Sequence, residues 1–271
     1  MPVAIVTGAA SGIGRAIALR LADDGFNVVI ADIPPQQAAS QEVVEEITAK
    51  GRKAHYVPVD VSNQEQVEAM VAETVKVFGE VNVMVSNAGI LDTTPVLEIS
   101  LERWERTMAV NLRGVFLCHT TAARQMVKQG KGGKLIAACS ISGFRPSGQC
   151  PAYCTSKWAV RGFTQTCAVE LGKHGITANA YCPGSVPTNM SKQFSEKLGK
   201  NVGSSNIDEA YEKSAYRVSA LQVDLQTEDI AGLVSFLAGK DSDRITGQSM
   251  ICDGGQYTPL KTCMCRMTID R

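Results

Sequence analysis

The chain has 271 residues, 44% of them apolar and 20% charged, and its 27 basic residues balance 27 acidic ones. That mixture belongs to a folded protein able to bury a substantial core, and excludes a disordered or fibrous chain. With no net charge and no basic run, nothing gathers nucleic acid or an anionic membrane surface, so neither is expected as a partner.

The opening "MPVAIVTGAASGIG" lacks a charged leader and runs straight into a glycine-rich turn, so it reads as a first strand rather than a signal peptide. "VAIVT" (3–7) is that strand, and "GIGRAIALRLADDG" after it carries apolar residues at helical spacings of three and four. "NVVIAD" (27–32) and "AHYVPVD" (54–60) follow as strands. The helix "QEQVEAMVAETVKVFG" then leads to the strand "VNVMVSN" (81–87). Further on come the strand "KLIAACS" (134–140), a helical stretch "AYCTSKWAVRGFTQ" (152–165) and the strand "ITANAYCPG" (176–184). The helix "TEDIAGLVSFLAG" and the strand "SMICDGG" (249–255) complete the alternation. Gly25, Gly79 and Gly239 stand where helices should end.

The seven strand runs are near-continuously apolar, as strands covered on both faces by helices must be. The expected fold is α/β: a doubly wound, parallel, seven-stranded sheet of the Rossmann type with helices on both faces. One domain is expected over 1–258, with residues 259–271 as a C-terminal extension that shows neither period. A polar excursion over about 185–225 interrupts the alternation just after a strand end, where a substrate lid is expected. No apolar run is long enough to span a membrane. The nine cysteines are odd in number and follow no secretion signal, so free thiols in a reducing compartment, the cytoplasm, are expected. None shows the paired spacing of a zinc site with a histidine nearby, and no metal is expected.

"TGAASGIG" (7–14) leaves a strand and opens a helix. Gly8 allows the sharp turn, Gly12 lets the backbone approach a pyrophosphate, and Gly14 lets helix and strand pack closely. The helix start that follows Ser11, with Ile13 in its first turn, offers unpaired N–H groups to phosphates. The next strand ends at Asp32, whose carboxylate can accept both hydroxyls of an adenosine ribose and repel a 2′-phosphate. "DIPPQQ" adds no basic residue, so NAD(H) is the expected cofactor. The competing reading is that Asp32 merely caps a helix starting near Pro34.

Tyr153 and Lys157 lie one helical turn apart on one face. A free phenol ionises near 10, too high for an efficient base at neutral pH. An ammonium one turn away, joined by oxidised nicotinamide, would lower it and make the pair an acid–base unit for a secondary alcohol or its ketone. Ser140 can donate to the carbonyl oxygen. Ser142 shares its strand parity, and Asn111 admits a second reading in which it simply bonds backbone inside a helix. Trp104, Trp158 and Phe163 read as core or subunit contacts, and the scattered His55, His119 and His174 as structural.

Together these motifs resemble the short-chain dehydrogenase/reductase family over about residues 3–257: "TGAASGIG", "DV" (60–61), "NAG" (87–89), Asn111 in "NLRG", Ser140 in "ACSISG", "YCTSK" (153–157) and "PGSVPT" (183–188). The resemblance implies that Asp60 and Val61 hold adenine and that Asn87, Ala88 and Gly89 steady the central strand beside the cofactor. It implies that Pro183, Gly184, Val186 and Thr188 line the nicotinamide end, Thr188 on the carboxamide. Asn111, Ser140, Tyr153 and Lys157 would form a catalytic tetrad, Tyr153 and Lys157 also touching the cofactor and Asn111 holding a water that links Lys157 to solvent. Ser140 is preferred over Ser142 because its thirteen-residue separation from Tyr153 matches the family. The resemblance further implies a homotetramer with the fourth and fifth helices and "TGQSMICDGG" as contacts.

Several segments, among them "KWAVRGFTQTCAVELGKHGIT" and "DSDRITGQSMICDGG", resemble the acetoin and diacetyl reductases (2,3-butanediol dehydrogenases) of that family. Ser142 and Gln149 are expected on the substrate side, Gln149 against a vicinal oxygen. Three functions are in play. The first is oxidation or reduction of a small hydroxyketone, diketone or diol; the second is the same chemistry on a bulkier cyclic or terpenoid alcohol. The third is a dinucleotide-binding regulator without turnover, against which the Ser140, Tyr153 and Lys157 set argues, because a sensor needs only the cofactor end.

Overall fold

The apolar runs form strands because each alternates its side chains between two helical layers that both exclude water. In the computed structural model, which describes residues 1–146, 150–192 and 219–257, β1 (Val3–Thr7) is buried at every position. Ala4 and Val6 enter one core with Ile17 and Leu21, while Ile5 enters the other with Met70 and Met84. The remaining strands are β2 (Asn27–Asp32), β3 (Ala54–Pro58), β4 (Val83–Ser86), β5 (Gly133–Ala138), β6 (Ile176–Pro183) and β7 (Ser249–Cys252). All pair in parallel in the order β3-β2-β1-β4-β5-β6-β7, which is the expected doubly wound, seven-stranded sheet.

Helices α1 (Gly12–Asp23), α2 (Gln37–Ala49) and α7 (Thr227–Ala238) cover one face. Helices α3 (Gln64–Phe78), α5 (Gly114–Gln129) and α6 (Pro151–Leu171) cover the other. Because β1 pairs with β2 on one side and β4 on the other, the chain reverses its winding at β1 and leaves a crevice at the carboxyl ends. Strands β3, β4 and β5 stop earlier than their apolar runs suggest. Asp60, Asn87 and Ser140 therefore lie on the loops that turn outward to line that crevice.

Gly79 ends α3 in the left-handed conformation, φ 88°, and Gly25 stands just beyond α1 at φ 100°. Gly239 follows α7 but is extended at φ −82°, because the exposed carbonyls are satisfied another way. The Ser242 hydroxyl reaches back to the Leu237 and Gly239 oxygens at 2.7 and 3.0 Å. Helix α4 (Leu101–Met108) joins α5 through a wider π-turn, Ala109–Arg113, which holds Asn111. Trp158 is 48% exposed on α6 and so is not a core residue; Leu101 and Phe116 on α4 and α5 are exposed as well. Among the described residues, no helix is long and apolar enough to cross a membrane.

One of the titratable groups inside this scaffold is an imidazole. His119 on α5 is 0% exposed, stacks on Phe163 at 6.1 Å between ring centroids, and gives neither ring nitrogen a well-aligned partner. Burial pushes its pKa down from 6.5 to about 4. The unfolded chain therefore takes up this proton first, and stability falls as pH drops from 6.5 toward 4. His119→Phe should flatten that acid limb, read as urea midpoints across the same pH window; an unchanged slope would show that other groups cause it.

Candidate active site

The first turn after β1 is shaped by what glycine lacks. Gly8 has φ +65°, and a Cβ there would sit 2.9 Å from the Ala88 Cα. A Cβ on Gly14 would strike the Gly8 carbonyl oxygen and come within 2.5 Å of the Asn87 amide nitrogen. Gly12, at φ +54°, faces Thr188, whose methyl a hypothetical Cβ would touch at 3.4 Å. Ser11 is the extended N-cap of α1, yet its side chain makes no capping bond and the first turn holds no acidic residue. The N–H groups of that turn thus keep their capacity for an anion.

Beside this turn, the Asp32 carboxylate accepts N–H bonds from Ala10 at 2.9 Å and Ile33 at 2.8 Å. These fix its orientation toward the cleft. It does not cap the short 3-10 turn at Pro34–Gln36, whose N-cap is Ile33, so the capping alternative fails. Asp60 accepts from the backbone and hydroxyl of Ser62 at 2.9 and 2.7 Å, which ties its carboxylate to its own loop. Val61 fits against Gly114 of α5, where any Cβ would collide with it.

A single cleft of about 850 Å³ runs from Asp32 past the glycine turn to the start of α6. Gly8, Ser11, Gly12, Ile13, Gly14, Asp32, Asp60, Val61, Asn87, Ala88, Gly89, Pro183, Gly184, Val186 and Thr188 all line it, with Ser140, Ser142, Tyr153 and Lys157 at the far end. Asn111 stands behind the wall: its amide donates to the Ile90 oxygen at 2.9 Å and accepts from the Ile90 nitrogen at 2.8 Å. It therefore does bond backbone, and Gly89 lies between it and Lys157, with a Cβ there 3.3 Å from Asn111 Oδ1 and 3.7 Å from Lys157 Nζ. Gln149 lies outside the described residues.

The reacting corner is dry. Lys157 is 4% exposed; its ammonium donates to the Ala138 oxygen at 2.9 Å and lies 5.4 Å from the Tyr153 ring centroid. Ser140 Oγ accepts from the Ser142 nitrogen at 3.0 Å and also hydrogen-bonds Tyr153. Burial pushes the Tyr153 phenol above its ordinary 10, and the Ser140 bond offsets only part of that rise. Burial also lowers Lys157. The acidification expected from the lysine is thus not a property of this chain alone. Both charged forms lose solvation together, and the ammonium is held at Ala138 beneath the ring instead of at the hydroxyl. The result is a neutral phenol, ready to give a proton.

Several participants escaped sequence reasoning. Tyr181 hides inside an apolar strand run, yet its hydroxyl donates to Asn87 Oδ1 at 2.7 Å. Arg161 reads as one polar face of a helix, yet its guanidinium stacks on Phe144 at 3.7 Å and donates to the Gly143 oxygen at 2.7 Å, bracing the loop after Ser140. Gln256 accepts from the Ser185 nitrogen at 2.9 Å and backs the segment after β6. Only the last has a local signal, the glycine pair Gly254 and Gly255 with φ 62° and 81° that folds Gln256 inward.

The chain is similar to known proteins over most of its length. The short chain dehydrogenase family profile matches residues 2–199. A short-chain dehydrogenase/reductase, eriH, of Hericium erinaceus is 48% identical over 256 residues, covering 94% of this chain and 97% of its own length. A diacetyl reductase [(S)-acetoin forming] of Staphylococcus epidermidis is 43% identical, covering 93% and 97%. The crystal structure of acetoin dehydrogenase YohF from Salmonella typhimurium superposes with a TM-score of 0.81 at 32% identity, covering 96% and 98%. On the order of its motifs, its sheet and these likenesses, the chain belongs to the short-chain dehydrogenase/reductase family, oxidoreductases acting on CH–OH groups.

Proposed function

We propose that this protein uses NAD(H) to interconvert a secondary alcohol and its ketone, with a small hydroxyketone or diketone such as acetoin or diacetyl as substrate. The observation that carries the reading is the continuity of one cleft from Asp32 and the glycine turn to Ser140, Tyr153 and Lys157. A regulator that only senses a dinucleotide has no use for a dry phenol beside a hydroxyl. Bound nicotinamide supplies or accepts the hydride. Gly12 and the α1 N-terminus receive the pyrophosphate, Asp32 the ribose hydroxyls, and Asp60 and Val61 the adenine side. Thr188, beside Gly12, takes the carboxamide.

The chain's own part in the chemistry is a proton and two hydrogen bonds. The Ser142 N–H occupies a lone pair of Ser140 Oγ, which leaves the Ser140 hydrogen to point at a substrate oxygen or at Tyr153. Tyr153 gives its proton to that oxygen as a ketone is reduced and takes it back in the reverse direction. The Lys157 ammonium, over the Tyr153 ring, stabilises the phenolate left behind until solvent returns its proton, and Asn111 fixes the Ile90 backbone in the wall behind. Arg161 keeps Ser140 in register by fixing Gly143.

The diacetyl reductase and acetoin dehydrogenase likenesses support the small substrate. Of the lid proposed for 185–225, residues 193–218 lie outside the described residues; before them, Asn189 and Met190 line the cleft. Exposed Leu101, Phe116 and Trp158 on α4, α5 and α6 support the homotetramer, and buried thiols such as Cys118 and Cys139 support a reducing, cytoplasmic setting. An NADH-oxidation assay with diacetyl, acetoin and bulky cyclic ketones tests the reading. Turnover confined to bulky ketones would replace the substrate, and tight NADH binding with no turnover would leave the regulator.

Tyr153→Phe should lower kcat by about 100-fold or more while leaving the NADH Kd within about twofold; substantial residual turnover would remove Tyr153 from the proton path. Because burial raises the phenol above 10, alcohol oxidation should climb with pH through 7 to 10 as the scarce phenolate grows. Ketone reduction should stay level over that range, and kcat/KM profiles in both directions read the sign. Asp32→Ser should weaken NADH and raise the NADPH/NADH ratio of kcat/KM by about tenfold or more, since one full charge no longer opposes the 2′-phosphate. An unchanged ratio would overturn the ribose assignment.

A further inference from the structure

Resting on the cofactor reading above, we propose that Tyr181 is a positioning residue for the dinucleotide, its hydroxyl fixing the Asn87 amide so that the glycine turn holds its pyrophosphate-receiving shape. Tyr181 lies on β6, two residues before Pro183, is 1% exposed and reaches the floor of the cleft. Its strand neighbours Ala180 and Cys182 are fully buried and apolar, so packing alone asks for no hydroxyl at this place. A buried hydroxyl costs free energy unless bonded, and this one is spent on a single acceptor, Asn87 Oδ1 at 2.7 Å.

An amide has one accepting and one donating end. With Oδ1 claimed by Tyr181, Nδ2 must face β1, where it donates to the Thr7 oxygen at 2.9 Å and the Gly8 oxygen at 3.1 Å. Those carbonyls open the glycine turn. The Gly8 oxygen is also the atom that a Cβ on Gly14 would strike, so its position sets how closely α1 approaches β1. Thr7 Oγ1 completes the knot by accepting from the Asn87 and Ala88 nitrogens at 3.0 and 3.1 Å. Through these bonds β6, which leads into the nicotinamide segment, is braced against the turn that meets the phosphates.

Removing the phenol oxygen leaves Asn87 Oδ1 buried without its donor, and the amide loses its reason to keep one orientation. The effect belongs to cofactor binding. The groups that move the proton are held elsewhere: Lys157 by the Ala138 oxygen, Ser140 by the Ser142 nitrogen, and Tyr153 by α6.

The test is Tyr181→Phe in the full-length protein, which keeps the ring and removes one oxygen. NADH binding is followed by fluorescence titration and turnover by steady-state kinetics, well below the unfolding midpoint of each protein. The NADH Kd and KM should rise about tenfold, with kcat at saturating NADH and the ketone KM within about twofold of the parent. An unchanged Kd, or a fall in kcat at unchanged Kd, would overturn the proposal. Should Tyr181→Phe fail to fold, Asn87→Asp probes the same link from the other end. It still accepts from Tyr181 but cannot donate to Thr7 and Gly8, so retained NADH affinity there would also overturn it. A parent protein that binds no dinucleotide would instead sink the cofactor reading on which the proposal stands.

Discussion

The close approach of the β1 turn to the end of β4 is the constraint on which the rest of this molecule depends. It exists because Gly8 and Gly14 carry no side chain where the Ala88 backbone and the Asn87 amide lie against them. Once that approach is made, β1 can sit between β2 and β4, the winding reverses there, and a crevice opens at the carboxyl edge. Every loop leaving that edge then contributes to one cleft. The glycine turn, the acidic end of β2 and the start of α6 share a cavity for this reason alone.

Within the cleft, burial competes with charge. The Lys157 ammonium lies 5.4 Å from the Tyr153 ring centroid, but removal from water penalises both charged forms, and burial is the largest influence on each. A family member that reduces ketones gains from this balance, because a donor must hold its proton at working pH before it can give it away. The Ser140 hydroxyl, oriented by the Ser142 N–H, offsets part of the rise that burial causes in the phenol.

The supporting shell shows how far a reaction centre extends beyond the groups that touch it. Arg161 clamps Gly143 beneath Phe144, Phe144 leans on Tyr257 at 5.5 Å, and Gln256 holds Ser185. The turn at 253–257 thus backs both the loop after Ser140 and the segment after β6. Asn111 spends its side chain on the Ile90 backbone from within a π-turn, a local widening that lets a helix residue serve a loop.

Much of this was legible in the residues. Strand runs without alternation announced a sheet covered on both faces, and glycine placement announced the cofactor turn, because local periodicity and missing side chains are properties of short segments. The Tyr153–Lys157 spacing was readable for the same reason, since one helical turn fixes their shared face. Tyr181 and Arg161 were not readable, because they act on residues 94 and 18 positions away, and Gln256 had only the glycine pair before it as a signal. The sequence by itself determined the fold class, the motif set and the chemical character of the site. Only the tertiary structure decided which strand ends meet, where Asn111 directs its amide, and whether burial or charge governs the phenol, because those depend on solvent exclusion and distance, which no local pattern contains.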